Sequence, residues 1–276
     1  IMNNLVTIRH LGRGVFSSVD MVKDNSTGTF YAKKIISPKY IKYSQHELRL
    51  LSIFKRIRHK NIVRFFEKQN HKDTICFILE KLHLNLYNFY KQYPEKINNN
   101  LICSFTKQIL EGLEFIHSLF IIHADLKPEN VMTTNLKENH IKLIDFGSSI
   151  INGTEKHTHF YIVSRYYRAP ELVYKRQFDE KIDIWSVGCI LYELIVFKPL
   201  FYARNTEMLK MLMTSLSYEK KFIKYIQRNQ LFDNLSIREQ MYLGDVFYNT
   251  LEYDFKKRLS AKQCLELPYF DLIRDK

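Results

Sequence analysis

The sequence is organised around His123-Ala124-Asp125-Leu126-Lys127-Pro128-Glu129-Asn130, which precedes Asp145-Phe146-Gly147. Between them, the run Ile141-Lys142-Leu143-Ile144 predicts a strand that ends at Asp145. An Asp followed five residues later by an Asn is common by chance, so the octapeptide alone could be a charged surface loop. Whether the octapeptide is a functional motif depends on which other motifs accompany it in the sequence, and in which order.

Length and composition favour one large domain or two lobes around a cleft. The chain has 276 residues, of which 46% are hydrophobic and 14% aromatic, enough to build a sizeable core. Lys+Arg 42 against Asp+Glu 29 leaves a net charge of +13, which would suit nucleic acid or an acidic partner. The lysines are spread along the chain without a long run. A basic, solvated surface is therefore favoured, and nucleic-acid binding is not expected.

Cysteine usage and hydropathy predict an intracellular protein, nuclear or cytoplasmic. The four cysteines are far apart and form no CxxC pair, which argues against a zinc site and against a disulfide framework. The most apolar run, Trp185 to Phe197, contains Glu193 and is too short to span a bilayer. No charged-then-apolar signal sequence opens the chain, so we expect no membrane association.

The first motif is a glycine-rich hairpin at Leu11-Gly12-Arg13-Gly14-Val15-Phe16-Ser17-Ser18-Val19. Apolar and β-branched residues flank the glycines, as expected for two strands joined by a turn. Gly12 and Gly14 carry no Cβ, so backbone N–H groups there could approach phosphates closely. Most such glycine pairs are plain turns, and the spacing to the next motif is what strengthens the functional interpretation.

A strand with two candidate lysines follows the hairpin. Lys34 comes fifteen residues after Val19, in the run Tyr31-Ala32-Lys33-Lys34-Ile35. Side chains alternate along a strand, so Ala32 and Lys34 share one face and Lys33 lies on the other. The shared face with Ala32 favours Lys34 as the functional lysine over Lys33.

A predicted helix after this strand carries one candidate partner for Lys34. Apolar residues at three-residue spacing (Leu48, Leu51, Phe54) would form the buried face of the helix. Glu47 is the only acidic residue that follows Lys34 before the next predicted strand. Glu47 is therefore the one carboxylate that this helix offers as a partner for Lys34.

In this order the motifs resemble those of protein kinases, and the resemblance covers about residues 5–272. Its further members are Ser164-Arg165-Tyr166-Tyr167-Arg168-Ala169-Pro170-Glu171, Asp183-Ile184-Trp185-Ser186-Val187-Gly188-Cys189 and Lys257-Arg258-Leu259-Ser260-Ala261. One departure is Ser17, which stands where the usual motif has its third glycine. Lys127 is typical of the Ser/Thr-specific members.

The resemblance implies a centre for phosphoryl transfer from ATP with magnesium. The catalytic residues would be Asp125, Lys127, Lys34 and Glu47, and the Mg²⁺ ligands would be Asn130 and Asp145. The nucleotide would contact Gly12, Arg13, Gly14, Val19, Ala32, Lys34, Leu79, Glu80, Leu82, Asn85 and Met132. Asp125 would accept the proton of the substrate hydroxyl, and Lys34 would reach the α- and β-phosphates. For Asn85, a helix N-cap is an equally good role.

The resemblance also implies an α+β fold with two lobes, in a single protein kinase domain over residues 1–276. The small lobe, about 1–82, would be an antiparallel sheet with one main helix, and the larger lobe, about 83–276, would be mainly helical. Three residues would have structural roles: Asp183 would accept N–H groups of the catalytic loop, and Glu171 would form a buried ion pair with Arg258.

Two predictions concern the packing of the larger lobe. Apolar residues at three- and four-residue spacing predict a core helix from Leu101 to Phe120 that leads into the catalytic loop. A later group of apolar residues, Met208, Leu209, Met211 and Leu212, is predicted to lie in the core rather than on a binding surface.

Three features of the sequence indicate which subgroup of protein kinases it resembles. Ala124 replaces the usual Arg before the catalytic Asp, and Ser148 and Ser149 follow Gly147. The run from Tyr161 to Arg168 resembles the activation segment of the dual-specificity tyrosine-regulated and homeodomain-interacting protein kinases, in the group of the cyclin-dependent, MAP and CDC-like kinases. This implies autophosphorylation of Tyr161, with Arg165 and Arg168 as candidate cations for the phosphate.

We therefore predict a Ser/Thr protein kinase, monomeric, that acts on protein substrates and prefers Pro after the target residue. A pseudokinase or nucleotide-binding scaffold with the same fold is the alternative, and Ala124 and Ser17 are the grounds for it. A third interpretation, a basic nucleic-acid-binding domain, has no motif behind it.

Overall fold

The computed structural model describes residues 4–71, 73–151, 163–214 and 235–273. The strands there are β1 (Leu5–Arg13), β2 (Ser17–Asp24), β3 (Phe30–Ile36), β4 (Phe65–His71), β5 (Thr74–Glu80), β6 (Ile121–Ile122), β7 (Val131–Thr133), β8 (Ile141–Leu143) and β9 (Ile150–Ile151). The α-helices are α1 (Ile41–Arg56), α2 (Leu86–Gln92), α3 (Asn99–Ser118), α4 (Pro170–Val173), α5 (Lys181–Val196), α6 (Thr206–Thr214), α7 (Ile237–Thr250) and α8 (Ala261–Leu265). Together they form the α+β architecture expected from the motifs.

The N-terminal part is a five-stranded antiparallel sheet in the order β1-β2-β3-β5-β4. The glycine-rich hairpin is the turn between β1 and β2, closed where the N–H of Gly14 donates to the carbonyl of Ser17. β3 is the central strand, and its Lys34 lies opposite Val19 of β2 and Phe77 of β5. This register places the lysine beside the hairpin, as the spacing predicted.

α1 packs one face against the sheet. Its buried residues are Ser44, Glu47, Leu50, Leu51 and Phe54, which recur at helical spacing along a single stripe. Glu47 is the one charged residue on this stripe and is 5% exposed. A buried carboxylate is costly unless it is paired, so the helix needs a cation where the stripe meets the sheet.

The larger lobe is built around two helices. α3 begins after Asn98, whose side chain caps the helix by accepting from the N–H of Leu101, and its predicted apolar face is buried as expected. α5 is buried on nearly every side. At Gly188 a Cβ would lie 2.6 Å from Leu251, so α5 and α7 can pack this closely only around a glycine. Among the described helices, none combines the length and apolarity that a membrane span needs.

The prediction that all four apolar residues of α6 lie in the core is wrong. Leu209 is fully buried and Leu212 packs partly against the core, but Met208 is 37% and Met211 72% exposed. The inward face of α6 is instead set by Leu209 and Met213, which are four residues apart and hence on one side of the helix.

A buried ion pair fixes the C-terminal helices to the segment that precedes α5. Arg258 Nη1 lies 2.7 Å from Glu171 Oε1, and Nη2 lies 3.1 Å from Oε2. Arg258 also donates to the carbonyls of Glu252 and Lys181, and its guanidinium lies over the ring of Trp185. With 1% of Arg258 and 3% of Glu171 exposed, each charge depends on the other.

We therefore predict that Arg258→Met lowers the free energy of unfolding by about 3–5 kcal/mol, because it leaves the Glu171 carboxylate buried without a cation. Urea denaturation of the whole chain measures this difference. Lys262→Met, on the exposed side of α8, is the matched control and should change stability little. Equal stability of the two variants would contradict a structural role for the pair.

Candidate active site

One lysine joins the two lobes. Lys34 Nζ lies 2.6 Å from Glu47 Oε1 and 2.9 Å from Asp145 Oδ1. The side chain of Lys34 is 12% exposed and that of Glu47 6%, whereas that of Asp145 is 46% exposed. β3, α1 and the loop after β8 thus meet at a single cation, and the cluster is open to solvent on the side of Asp145.

The Lys34 ammonium stabilises both negative charges of this cluster, but burial and the nearby Asp145 carboxylate still raise the pKa of Glu47. Burial alone would lower the pKa of Lys34, but the carboxylates of Glu47 and Asp145 outweigh it, and the pKa lies above the ordinary value. Burial would raise the pKa of Asp145, yet the Lys34 ammonium outweighs it and holds that pKa below its usual range. A positively charged Lys34 and a negatively charged Asp145 therefore coexist at neutral pH.

Phe146 holds Asp145 in place. Its ring is fully buried, with its centroid 4.7 Å from that of Phe54 in α1 and 5.1 Å from that of His123. Asp145 has a φ of 62°, in the left-handed region that residues other than glycine seldom adopt. Asp and Asn adopt it more often than other residues do. The packed ring on one side and Lys34 on the other stabilise this conformation.

Asp125 is held by contacts at both carboxylate oxygens. Lys127 Nζ donates to Oδ2 at 2.7 Å, and the hydroxyl of Ser164 donates to Oδ1 at 2.9 Å. Asn130 Nδ2 donates to the backbone carbonyl of Asp125 at 2.8 Å. The side chain is therefore oriented, and one of its oxygens already accepts a hydroxyl hydrogen bond.

The loop that carries Asp125 is anchored on α5. Asp183 Oδ2 accepts from the N–H of His123 at 2.8 Å, and its Oδ1 accepts from the N–H of Ala124 at 2.9 Å. His117 Nε2 lies 2.9 Å from the same carboxylate. Because Asp183 is 1% exposed, these donors replace the water that a carboxylate otherwise requires.

Asn130 and Asp145 fit a site for a divalent metal that a ligand from outside the chain would complete. The N–H of Ile144 donates to the carbonyl of Asn130 at 3.0 Å, which brings the two residues together. Since Asn130 Nδ2 is bound to Asp125, its amide oxygen is left for a cation. No group of three or more His, Cys, Asp or Glu in the described part of the chain could hold a metal by itself. Mg²⁺ commonly binds through one or two protein oxygens and substrate phosphates.

The hairpin and β5 border the remaining sides of the cleft. A Cβ built on Gly12 would meet no atom within 4 Å, so space beside the hairpin is open. Arg13 ends β1, Ala32 lies opposite Leu79, and Glu80 ends β5. The Glu80 side chain accepts from the N–H of Arg64 and pairs with Lys142 at 2.9 Å.

The link between the lobes leaves backbone donors available. The N–H of Leu82 donates to no other residue that the structure describes. Asn85 Oδ1 accepts from the N–H of Asn88 at 2.8 Å, so Asn85 is the N-cap of α2. Its backbone pairs with that of Met132 in β7, which places Met132 next to this link.

The contacts of Val163 and Arg165 could not be predicted from the sequence. Val163 has a φ of 67°, and its carbonyl accepts from Arg168 Nε at 3.2 Å and Nη2 at 2.8 Å. Arg165 Nη1 donates to the carbonyl of Arg204 at 2.6 Å. Tyr161, predicted to be phosphorylated, lies outside the described residues.

In the sequence, Glu193 interrupts the apolar run from Trp185 to Phe197. It accepts from the hydroxyls of Tyr90 at 2.6 Å and Tyr167 at 2.7 Å and is 1% exposed. Burial raises the pKa of this carboxyl, and the two hydroxyls stabilise it. Nothing in the sequence pairs residues that are 103 and 26 positions apart. The contact of Ser164 with Asp125, 39 positions away, could not be predicted for the same reason.

The family model described as the protein kinase domain matches residues 5–270 of the chain. The chain belongs to the protein kinase family, as its motifs predicted. It is similar to Homeodomain-interacting protein kinase 1 of Caenorhabditis elegans, with 38% identity over 72% of this chain and 24% of the relative.

Other relatives belong, like the homeodomain-interacting kinase, to the group of the cyclin-dependent, MAP and CDC-like kinases. The Probable dual specificity protein kinase YAK1 homolog of Encephalitozoon cuniculi is 38% identical over 71% of this chain and 48% of its own length. Serine/threonine-protein kinase MAK of Rattus norvegicus is 30% identical over 98% of this chain and 46% of its own length. The chain thus spans less than half the length of these relatives.

Proposed function

We propose that this chain is a Ser/Thr protein kinase that transfers the γ-phosphate of ATP to protein substrates. The observation that carries the proposal is the position of Lys34 between Glu47 and Asp145, at 2.6 Å and 2.9 Å. Phosphoryl transfer depends on positioned charges rather than on covalent help from the protein, and this cluster is already assembled. The pseudokinase alternative would require one of these charged groups, or Asp125, to be lost.

Asp125 is the proposed proton acceptor. As the substrate hydroxyl oxygen bonds to the γ-phosphorus, its proton passes to the Asp125 carboxylate and the bond from phosphorus to the β–γ bridging oxygen breaks, which releases ADP. The hydrogen bond from the Ser164 hydroxyl supports this role, because it is of the kind that a substrate hydroxyl would make. Lys127, 2.7 Å from Asp125, would place positive charge beside the transferring group.

The remaining residues would bind the nucleotide. Asn130 and Asp145 would hold Mg²⁺, which when bound neutralises charge on the phosphates. Lys34 would contact the α- and β-phosphates under the hairpin of Gly12, Arg13, Gly14 and Val19. Ala32, Leu79, Met132 and the backbone of Glu80 and Leu82 would surround adenine. Asn85, as an N-cap, would reach ribose only through its amide nitrogen.

Lys34→Met should lower turnover about 100-fold or more, because it removes a preorganised charge from the phosphates. Steady-state phosphorylation of a peptide measures this, with circular dichroism as the check on folding. Lys33→Met, one residue away in the same strand, is the control and should retain most of the turnover. If Lys34→Met folds and turns over normally, the assignment of the phosphate-binding lysine is wrong.

We also propose that Pro is preferred directly after the phosphorylated residue. The Val163 carbonyl, at a residue with a left-handed φ, already accepts two hydrogen bonds from Arg168. A substrate N–H that meets this surface then lacks an acceptor, and an unpaired buried donor costs about 1–3 kcal/mol. Pro has no N–H and loses nothing.

Peptides that differ only after the target Ser test this preference. Ser-Pro should be phosphorylated roughly 5- to 160-fold faster than Ser-Ala, which is the unpaired-donor cost expressed as a rate. A peptide with N-methylalanine at the same position is the control, since it lacks the N–H without a proline ring and should recover much of the rate. Equal rates for Ser-Pro and Ser-Ala would refute the preference.

Autophosphorylation of Tyr161 is a further proposal. The contacts of Arg165 with Arg204 and of Arg168 with Val163 mean that the two arginines would have to bind a phosphate in addition to these carbonyls. Mass spectrometry of protein made in bacteria should find one phosphate on Tyr161 that is absent from the Asp125→Asn variant. A fully active preparation with unmodified Tyr161 would contradict the proposal.

A further inference from the structure

A second contact joins α1 to the segment after Asp145. His46 directly precedes Glu47, and its Nε2 lies 2.7 Å from the backbone oxygen of Ser149. Ser149 comes four residues after Asp145, which Glu47 reaches through Lys34. Adjacent residues of one helix are therefore linked to the same segment at two points, Glu47 through Lys34 and His46 directly.

The acceptor of this hydrogen bond is fixed in space. Ser149 is 5% exposed, its hydroxyl donates to the carbonyl of His123 at 3.1 Å, and its N–H donates to the carbonyl of Phe146 at 3.2 Å. Directly after it, β9 pairs with β6, with Ile150 opposite Ile122. His46 thus connects α1, through Ser149, to the loop that carries Asp125.

Because a hydrogen bond is directional, this contact can restrict the rotation of α1 in a way that apolar packing cannot. α1 also meets the larger lobe through Phe54 and the ring of Phe146, but apolar contacts tolerate a rotation of the helix. A hydrogen bond at 2.7 Å does not tolerate such a rotation, because its energy falls steeply as the angle closes. Any rotation of α1 that withdraws Glu47 from Lys34 would also break the bond from His46.

The residue before Asp125 cannot provide this link. Ala124 is fully buried, carries only a methyl group and directs its N–H to Asp183. A tether between the catalytic loop and α1 must therefore come from other residues, and His46 and Ser149 supply one from within the described chain.

We propose that His46 is a positioning residue that holds α1 in the orientation in which Glu47 meets Lys34. The inference rests on the proposed kinase function for its effect on catalysis. Because the tether consists of a side chain and a backbone carbonyl, it orders α1 without any chemical modification of the chain.

Three variants of the whole chain test the role of His46. His46→Leu keeps much of the side-chain volume but removes the donor. His46→Gln restores an N–H donor at a similar reach, so it is the rescue variant. Gln45→Leu, one residue earlier and exposed on the same helix, is the control for loss of a polar group.

We expect His46→Leu to lower kcat roughly 2- to 10-fold, as expected for one net hydrogen bond, without a change in KM for the peptide. His46→Gln should return kcat to within about 2-fold of wild type, as the replacement donor is neutral and slightly displaced. Hydrogen exchange of α1 amides should be faster in His46→Leu than in wild type, His46→Gln or Gln45→Leu.

Two outcomes would overturn the proposal. In the first, His46→Leu matches wild type in both kcat and hydrogen exchange. In the second, His46→Gln and His46→Leu lose kcat and protection equally, which would indicate a need for the imidazole ring itself. Hydrogen exchange also separates this inference from the proposed function. If wild type transfers no phosphate, the kinase proposal fails, and the exchange of the three variants still decides the role of His46.

Discussion

The buried carboxylate of Glu47 sets the main constraint on this molecule. Ionised groups taken out of water require a partner, and Lys34 is the cation that meets Glu47. The same ammonium also binds Asp145, so a sheet strand, a helix and a loop of the other lobe depend on one positive charge. Separating Lys34 from Glu47 leaves a charge unpaired in a poorly solvated place. The free-energy cost of that separation favours the arrangement that phosphoryl transfer requires. The ion pairs that stabilise the fold here are the same ones that form the site.

The larger lobe provides a fixed base for this cluster. Asp183 in α5 holds the N–H groups of His123 and Ala124, and the Glu171–Arg258 pair joins the C-terminal helices to the segment before α5. Both carboxylates are almost fully buried, so they tolerate little displacement. The loop that carries Asp125 is thereby positioned by backbone contacts, and its functional side chains remain oriented toward the cleft.

Much of this arrangement could be predicted because it follows local rules. Strand alternation selected Lys34 over Lys33, and the lack of another nearby acidic residue selected Glu47. The contact of His46 with Ser149 could not be predicted, because it joins residues 103 positions apart through a backbone oxygen that has no sequence pattern. The left-handed φ of Val163 could not be predicted either, since it accompanies hydrogen bonds from Arg168 and is not a backbone conformation that Val prefers. For Met211 the sequence showed an apolar residue but not the face of the helix on which it lies.

Phosphate transfer by this chain should depend on Asp125 and the charged residues around it. Incorporation of labelled γ-phosphate into a generic basic protein, with wild type compared with Asp125→Asn, tests this dependence. Asn keeps the shape of the side chain and can accept from Ser164, but it cannot take up the substrate proton as a carboxylate does. We expect steady incorporation by wild type and almost none by a folded Asp125→Asn variant. Equal incorporation by the two proteins, or none by wild type with ATP and magnesium present, would contradict the proposed role of Asp125.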